Sequence, residues 1–305
     1  IRQRSGVAMA STTGDTLPRH WQLLTQFLLA LALIACGADS VFAQVGRTVP
    51  RQIYYQGKFA FYMGEYRDAE RAFASAIKSA NRIGQSRWID SICGYSMLGE
   101  VYYHQGNLAA SLEAHEAAIS VHLVNTGWMS RLRYPQLQPT NSRIEAKIAW
   151  GQRATMMAAL PDSISSLEGT LDLTTPFEIG GAVNPAHMKS VDGVEVVRCL
   201  AVSLRRRAEL LGPTAAFSSS STDITNSFAE VLAPPGHWVA AWVETLYGLA
   251  LMGMGRDKEG ASHLAKGRLA GNLDHQLTGI ALLEIGKYYL RQGEYAVAIQ
   301  HLQQA

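Results

Sequence analysis

Charge is scarce in this chain. Charged residues fill 17% of its 305 positions, and the formal balance is +2. Holding a nucleic acid or an acidic lipid surface by bulk electrostatics takes a dense cationic face, so that function class is excluded. The single dense basic run, Arg205-Arg206-Arg207, reads as a solvated helix face. Cysteine is scarcer still, at three residues, too few for a disulfide framework. Cys93 and Cys199 both fall within apolar helical patterns and read as buried free thiols, with pairing in an oxidising compartment as the alternative. Chemistry-bearing motifs are missing as well. There is no Walker-type loop, no Gly-x-Ser-x-Gly elbow and no Cys-x-x-Cys pair. His115-Glu116 is followed by His122, but a zinc-binding helix needs its second histidine at i+4, where Ile119 stands. His115 therefore reads as a packed core histidine. The chain is expected to hold no metal and no cofactor.

No apolar run is long enough to span a bilayer comfortably. The longest, Leu23–Ala35, has 13 residues against the roughly 20 required. Arg19 and His20 precede it, and Val41-Phe42-Ala43 follows with small residues where a signal peptidase reads. The segment thus has the form of a bacterial export leader over residues 1–43, with Gln44 as the new terminus. Leu33-Ile34-Ala35-Cys36 also fits a lipobox, in which Cys36 would be lipidated, and an uncleaved anchor is the third alternative. The chain opens on Ile1, so the expected start is either Met9 or a residue upstream.

What the sequence does contain is a recurrent spacing. Gly57 and Gly64, Gly99 and Gly106, Gly248 and Gly255, and Gly286 and Gly293 each stand seven residues apart. Around the first pair, Ile53, Phe59, Ala60 and Met63 mark an apolar helical stripe, and Leu98, Val101 and Tyr102 repeat it. The second glycine fits a helix stop in the left-handed conformation. A new helix then carries Ala69, Phe73, Ala76 and Ile77 at i, i+4, i+7 and i+8. The first glycine and the alanines are small where two helix backbones must approach closely. One such hairpin cannot bury both of its apolar faces, so neighbours must stack.

These residues resemble the tetratricopeptide repeat family over Gly57–Ala80, Tyr95–Leu123 and Leu282–Ala305, and less closely over Trp242–Gly267. Gly64 to Gly106 is 42 residues and Gly255 to Gly293 is 38, against roughly 34 for a standard unit. Asn81 and Leu123 replace the proline that usually closes each unit. The resemblance implies antiparallel helix pairs stacked in a right-handed superhelix, with a concave groove lined by one face of each first helix. The matching groove positions are Arg51, Tyr54, Lys58 and Tyr62, then Ser96, Glu100, Tyr103 and His104, and later Thr245, Lys287 and Arg291. They lack the Lys/Asn arrangement that clamps a terminal carboxylate in some members, which disfavours a chaperone-tail receptor. A mixed aromatic and charged set suits an extended peptide or a partner helix.

The middle of the chain shows no clean repeat and has room for two or three degenerate units. Helical patterns recur over Ser142–Leu160, Val191–Leu211 and Asp223–Leu232. Thr174–Asp192 is rich in Gly, Pro and Asn and reads as a long loop, Ser218–Ser221 as a mobile low-complexity stretch, and Pro234-Pro235-Gly236 as a closing break. The expectation is an all-α, tetratricopeptide-like α-solenoid: a leader over 1–43, repeats over 44–123, degenerate repeats with long loops over 124–236, and repeats over 237–305. Its function would be that of an exported, non-catalytic scaffold in the periplasm or cell envelope. It would bind a protein or peptide and no nucleic acid, and would touch a membrane only through its leader or a lipid anchor. A competing expectation comes from Ala305, which falls inside the second helix of the last repeat. On that reading the chain is the N-terminal or accessory part of a longer enzyme or effector. A third puts catalysis in the 160–236 insertion.

Overall fold

The structure, a computed structural model, describes residues 48–125, 127–133, 136, 138–145, 154–159, 164–168, 187–231 and 237–305. The expected leader over residues 1–43 with Cys36, the Pro234-Pro235-Gly236 break and most of the Thr174–Asp192 stretch lie outside the described residues.

Among the described residues ten helices follow one another in five consecutive pairs, four of them closely packed hairpins. They are α1 (Gln52–Tyr62) with α2 (Tyr66–Ser79), and α3 (Asp90–His104) with α4 (Leu108–Val124). Next come α5 (Gly193–Leu211) with α6 (Ser219–Ala229), α7 (Val239–Gly253) with α8 (Asp257–Gly267), and α9 (Thr278–Arg291) with α10 (Tyr295–Gln304). The second helix of each pair packs on the first helix of the next, and α5 also touches both α3 and α7. This is the expected all-α solenoid of tetratricopeptide-like hairpins.

The glycine pair has the two roles its spacing demands. A Cβ on the first glycine would strike the residue sixteen positions on: Phe73 at 2.9 Å for Gly57, the His115 ring at 2.6 Å for Gly99, and Leu302 at 2.7 Å for Gly286. The second glycine of each pair ends its helix at positive φ, +80° at Gly64 and +78° at Gly106, a conformation L side chains resist. The long 42-residue spacing comes from a tight β-hairpin between α2 and α3, in which β1 (Arg82–Ile83) pairs with β2 (Ser86–Arg87). The core runs through the whole stack, with Phe73, Trp88, Trp128, Phe228 and Trp242 all fully buried.

The middle departs from expectation. Among the described residues one helix pair, α5 and α6, stands in this region, and five strands precede it. β3 (Leu132–Arg133), β6 (Ile164–Glu168) and β7 (His187–Val191) form one antiparallel sheet. β4 (Gln138–Glu145) and β5 (Ala154–Ala159) form another, occupying the segment whose pattern suggested a helix over Ser142–Leu160. The alanines and methionines of β5 are good helix formers held extended by pairing, a tertiary override of propensity. Ala158 also donates to the Asp274 carbonyl (2.8 Å), fixing this insertion to the loop before α9. Part of the predicted Thr174–Asp192 loop is β7, whose Val191 pairs in parallel with Val49.

Candidate functional site

Four of the expected groove positions, Tyr54 and Lys58 on α1 and Glu100 and Tyr103 on α3, meet a single helix, α5, in two charged clusters. The first gathers on Glu195, which Asp192 places by capping the helix, its side chain accepting from the Glu195 N–H at 2.9 Å. Tyr54 donates its hydroxyl to Glu195, Lys58 Nζ lies 3.0 Å from the same oxygen, and Arg198 contributes two hydrogen bonds at 2.6 and 3.0 Å. Burial by itself would raise the Glu195 carboxyl, but Arg198, the Tyr54 hydroxyl and Lys58 outweigh it and hold the group at about 2. Burial, with Cys199, Cys93 and Glu195 close by, pushes the Tyr54 phenol well above its ordinary range.

The second cluster lies two turns along. Arg206 grips Glu100 through Nε and Nη2 at 2.8 and 2.9 Å, a bidentate fork, and reaches Glu209 through Nη1 at 2.8 Å. Its guanidinium carbon stands 3.5 Å from the centre of the Tyr103 ring, whose hydroxyl donates to Glu209 at 2.7 Å. Burial opposes ionisation of Glu100, but the hydrogen bonds from His115 and Arg206 prevail and hold it at about 2.

Two sets of expectations are thereby corrected. Tyr54 and Ser96 are fully buried rather than groove-lining, because α5 covers that face, and Ser96 donates to the Cys199 carbonyl at 2.8 Å. Thr245 is also buried and bonds the Ala241 and Gly267 carbonyls. The Arg205–Arg207 triplet is not a solvated face. Arg207 is buried, pairs with Glu116 at 3.3 Å, and donates to the hydroxyls of Ser218, Ser220 and Ser221. The serine run is accordingly an anchored helix start rather than a mobile stretch.

Further along the stack a cleft stays open. About 630 Å³ in volume, it lies between the end of α5, the turn Gly212–Phe217, the end of α7 and the exposed side of α9. Ala208, Pro213, Ala216, Leu249 and Met252 supply its apolar surface, and Gly212, Gly253 and Gly255 add no side chain to fill it. Lys287 and Arg291, two expected groove residues, are on its wall with Arg205, and each cation faces an acid. Arg205 lies 3.1 Å and Lys287 2.8 Å from Glu284, and Arg291 lies 3.1 Å from Asp257. An apolar surface with ion pairs along its wall can hold an amphipathic chain segment.

The remaining expected positions lie elsewhere. Arg51, just before α1, and Tyr62, at its end, are exposed and do not line the cleft. His104 is exposed at the end of α3 and stacks on Tyr66 of α2, ring centres 5.6 Å apart. Phe59 and Met63, expected in the apolar stripe, are exposed, whereas Tyr54 and Phe73 of the same hairpin are core. His115 is a buried core residue, bonded to Ser203 Oγ at 3.1 Å. Cys93 and Cys199 are buried free thiols. Sequence reasoning missed Glu195, Arg198, Glu209, Asp257 and Glu284. Only the i, i+3 and i, i+4 charge pairs on α5 hinted at the first three. Among the described residues no group of three His, Cys, Asp or Glu side chains is placed to hold a metal ion.

Residues 95–123, which are α3, α4 and their connection, match the Tetratricopeptide repeat family. No characterised protein matches the chain in sequence. Among solved structures, the chain is similar to a Rap protein complexed with competence and sporulation factor, with 12% identity and a TM-score of 0.37. That match covers 82% of this chain and 50% of the Rap chain, so this chain spans half the length of the protein it matches. It is also similar to a Podosopora anserina protein described as a kinesin light chain with nearly identical TPR-like repeats, with 10% identity and a TM-score of 0.33. That match covers 83% of this chain and 91% of the other. At that level of likeness neither structure bears on what this chain binds.

Proposed function

We propose that this tetratricopeptide-repeat protein is a non-catalytic interaction scaffold whose binding site is the cleft between α5, α7 and α9. The cleft itself carries the reading: about 630 Å³, apolar within, with Arg205, Lys287 and Arg291 each already facing a carboxylate. Tyr54, Lys58, Glu100 and Tyr103 are taken up by contacts of the chain with itself, so binding is assigned to the cleft. The ligand class is an extended peptide or amphipathic helix that sets one apolar side chain on Met252 and Leu249 and exchanges charges with the rim. The function requires no cofactor and no metal, and nucleic acid is not a partner.

Selection of random peptides against the full chain, followed by calorimetry on the peptides recovered, tests this. Binding should weaken at least roughly tenfold in Met252→Glu and in Arg291→Glu, and should be unchanged in Arg51→Ala, which does not line the cleft. Peptides that bind all three variants alike would place the site elsewhere. Export, with the protein periplasmic or on the cell envelope, is part of the proposal and rests on residues 19–44. Intact mass of the protein made in a bacterium with its own leader separates a terminus at Gln44 from a lipidated Cys36. Unprocessed cytoplasmic protein would refute both.

A further inference from the structure

Along the contact between α3 and α5 one interval repeats. Glu100 reaches Arg206 and Tyr103 reaches Glu209, and both pairs are 106 positions apart. The two helices therefore run parallel in a fixed register. Cys93 to Cys199 is the same interval, Cys93 standing seven residues before Glu100 and Cys199 seven before Arg206. Seven residues are about two helical turns, so each cysteine lies on the same helix face as its member of the fork. The register sets one cysteine opposite the other.

Local packing agrees. Ser96, one turn after Cys93, donates to the Cys199 carbonyl at 2.8 Å, a contact that so short a side chain makes only where the two backbones are close. A disulfide needs Cα atoms about 4.4–6.8 Å apart, an approach that small facing residues such as these allow. Both thiols are fully buried. Burial pushes the Cys93 thiol well above its ordinary range, and a hydrogen bond with the Cys199 thiol pushes it further. Tyr54 of α1 covers Cys199, its hydroxyl 3.3 Å from the sulfur.

We propose that Cys93 and Cys199 are a disulfide-forming pair that staples α3 to α5 and is sealed when the first hairpin closes over it. The thiolate of one cysteine attacks an external disulfide R–S–S–R, small-molecule or protein-borne, so that a mixed disulfide forms and one R–S⁻ leaves. The other cysteine loses its proton, attacks the protein sulfur of that mixed disulfide, and expels the second R–S⁻. Two protein thiols are oxidised and one external disulfide is reduced to two thiols, which take up the two protons. Closed and reduced, the pair is a poor nucleophile, because burial disfavours the thiolate. Closed and oxidised, it is shielded from reductant. The bond encloses residues 94–198 with all five strands β3 to β7, a loop long enough for cross-linking to restrict the unfolded chain strongly. Under the export proposed above the cell envelope supplies the external disulfide; the test below supplies it directly, so its outcome is separate from that of export.

The full chain is refolded from urea with oxidised glutathione, alkylated, and digested with trypsin without reduction. Peptide Trp88–Arg131 linked to Cys199–Arg205 should be the main cysteine product. Chain refolded with reduced glutathione and only then given the oxidised form should make this link at least roughly tenfold more slowly. Glu195→Ala, which frees the first hairpin, should restore the fast rate. At equal urea, the unfolded fraction of oxidised wild type should be roughly a hundredfold lower than that of reduced wild type, a comparison that needs no variant to fold. Cys199→Ala should show no such dependence on redox state. Glutathione left on each cysteine, links to Cys36 instead, equal rates for folded and refolding chain, or an oxidised form no more stable than the reduced one would each overturn the proposal.

Discussion

His122 and His275 are held as neutral rings by what they accept. Trp128 Nε1 donates to His122 Nδ1 at 2.9 Å, so the proton sits on Nε2, facing Ser227 Oγ at 3.0 Å. Leu277 donates its N–H to His275 Nδ1 at 3.2 Å, and His275 Nε2 donates to the Gly267 carbonyl at 2.6 Å. A second proton on either ring would point one N–H at another. Burial lowers both side chains from 6.5 to about 4. The unfolded chain therefore takes up these protons first, and stability falls as pH drops from about 6.5 towards 4, on the order of 1–3 kcal/mol for each ring. Below 4.5 a second loss begins, as Glu100 and Glu195, held at about 2, protonate more readily in the unfolded chain. Urea unfolding from pH 7 to 3 should show this two-stage decline. The imidazole proton resonances of these two histidines should stay at their neutral positions until pH approaches about 4.

Between elements, the close approach at the first glycine of each pair sets how tightly a hairpin closes. At Gly99 the facing group is the fully buried His115, fixed by Ser203, so it has nowhere to retreat. Gly99→Ala should destabilise by about 1–3 kcal/mol through overpacking. Gly64→Ala meets nothing within 4 Å and should cost about 1 kcal/mol, for its φ of +80° alone. Equilibrium urea unfolding of the two variants should separate them in that order. These glycines were legible in the sequence because each expresses a local steric demand in one residue type at a fixed spacing. The helix hairpins at both ends of the chain were legible for the same reason. Tyr54 was not, since the group that buries it, Glu195, lies 141 positions away and leaves no local period. The strand over Ala154–Ala159 was illegible too, because its alanines and methionines favour the helix that pairing overrides.

For the whole molecule, the decisive feature is that α5 reaches past its neighbours. It meets α1 through Glu195 and Lys58, and α9 through Arg205 and Glu284 at 3.1 Å, skipping one hairpin in each direction. Stability in a simple stack is a sum of nearest-neighbour terms, and its outer repeats open first. Here the first hairpin should open with the body. Glu195→Ala, which leaves Arg198 and Lys58 without their shared carboxylate, should release it. By hydrogen exchange, amides of α1 and α2 should then exchange at least roughly tenfold faster than those of α3, whereas in wild type the two pairs exchange together. Arg205 has a second consequence, because it is both a wall of the cleft and the strut between α5 and α9. A free stack behaves as a spring whose curvature breathes with temperature, and any ligand in its groove must first quiet that motion. With the gap fixed by an ion pair, elasticity is traded for a set aperture, and occupancy requires less ordering of the protein.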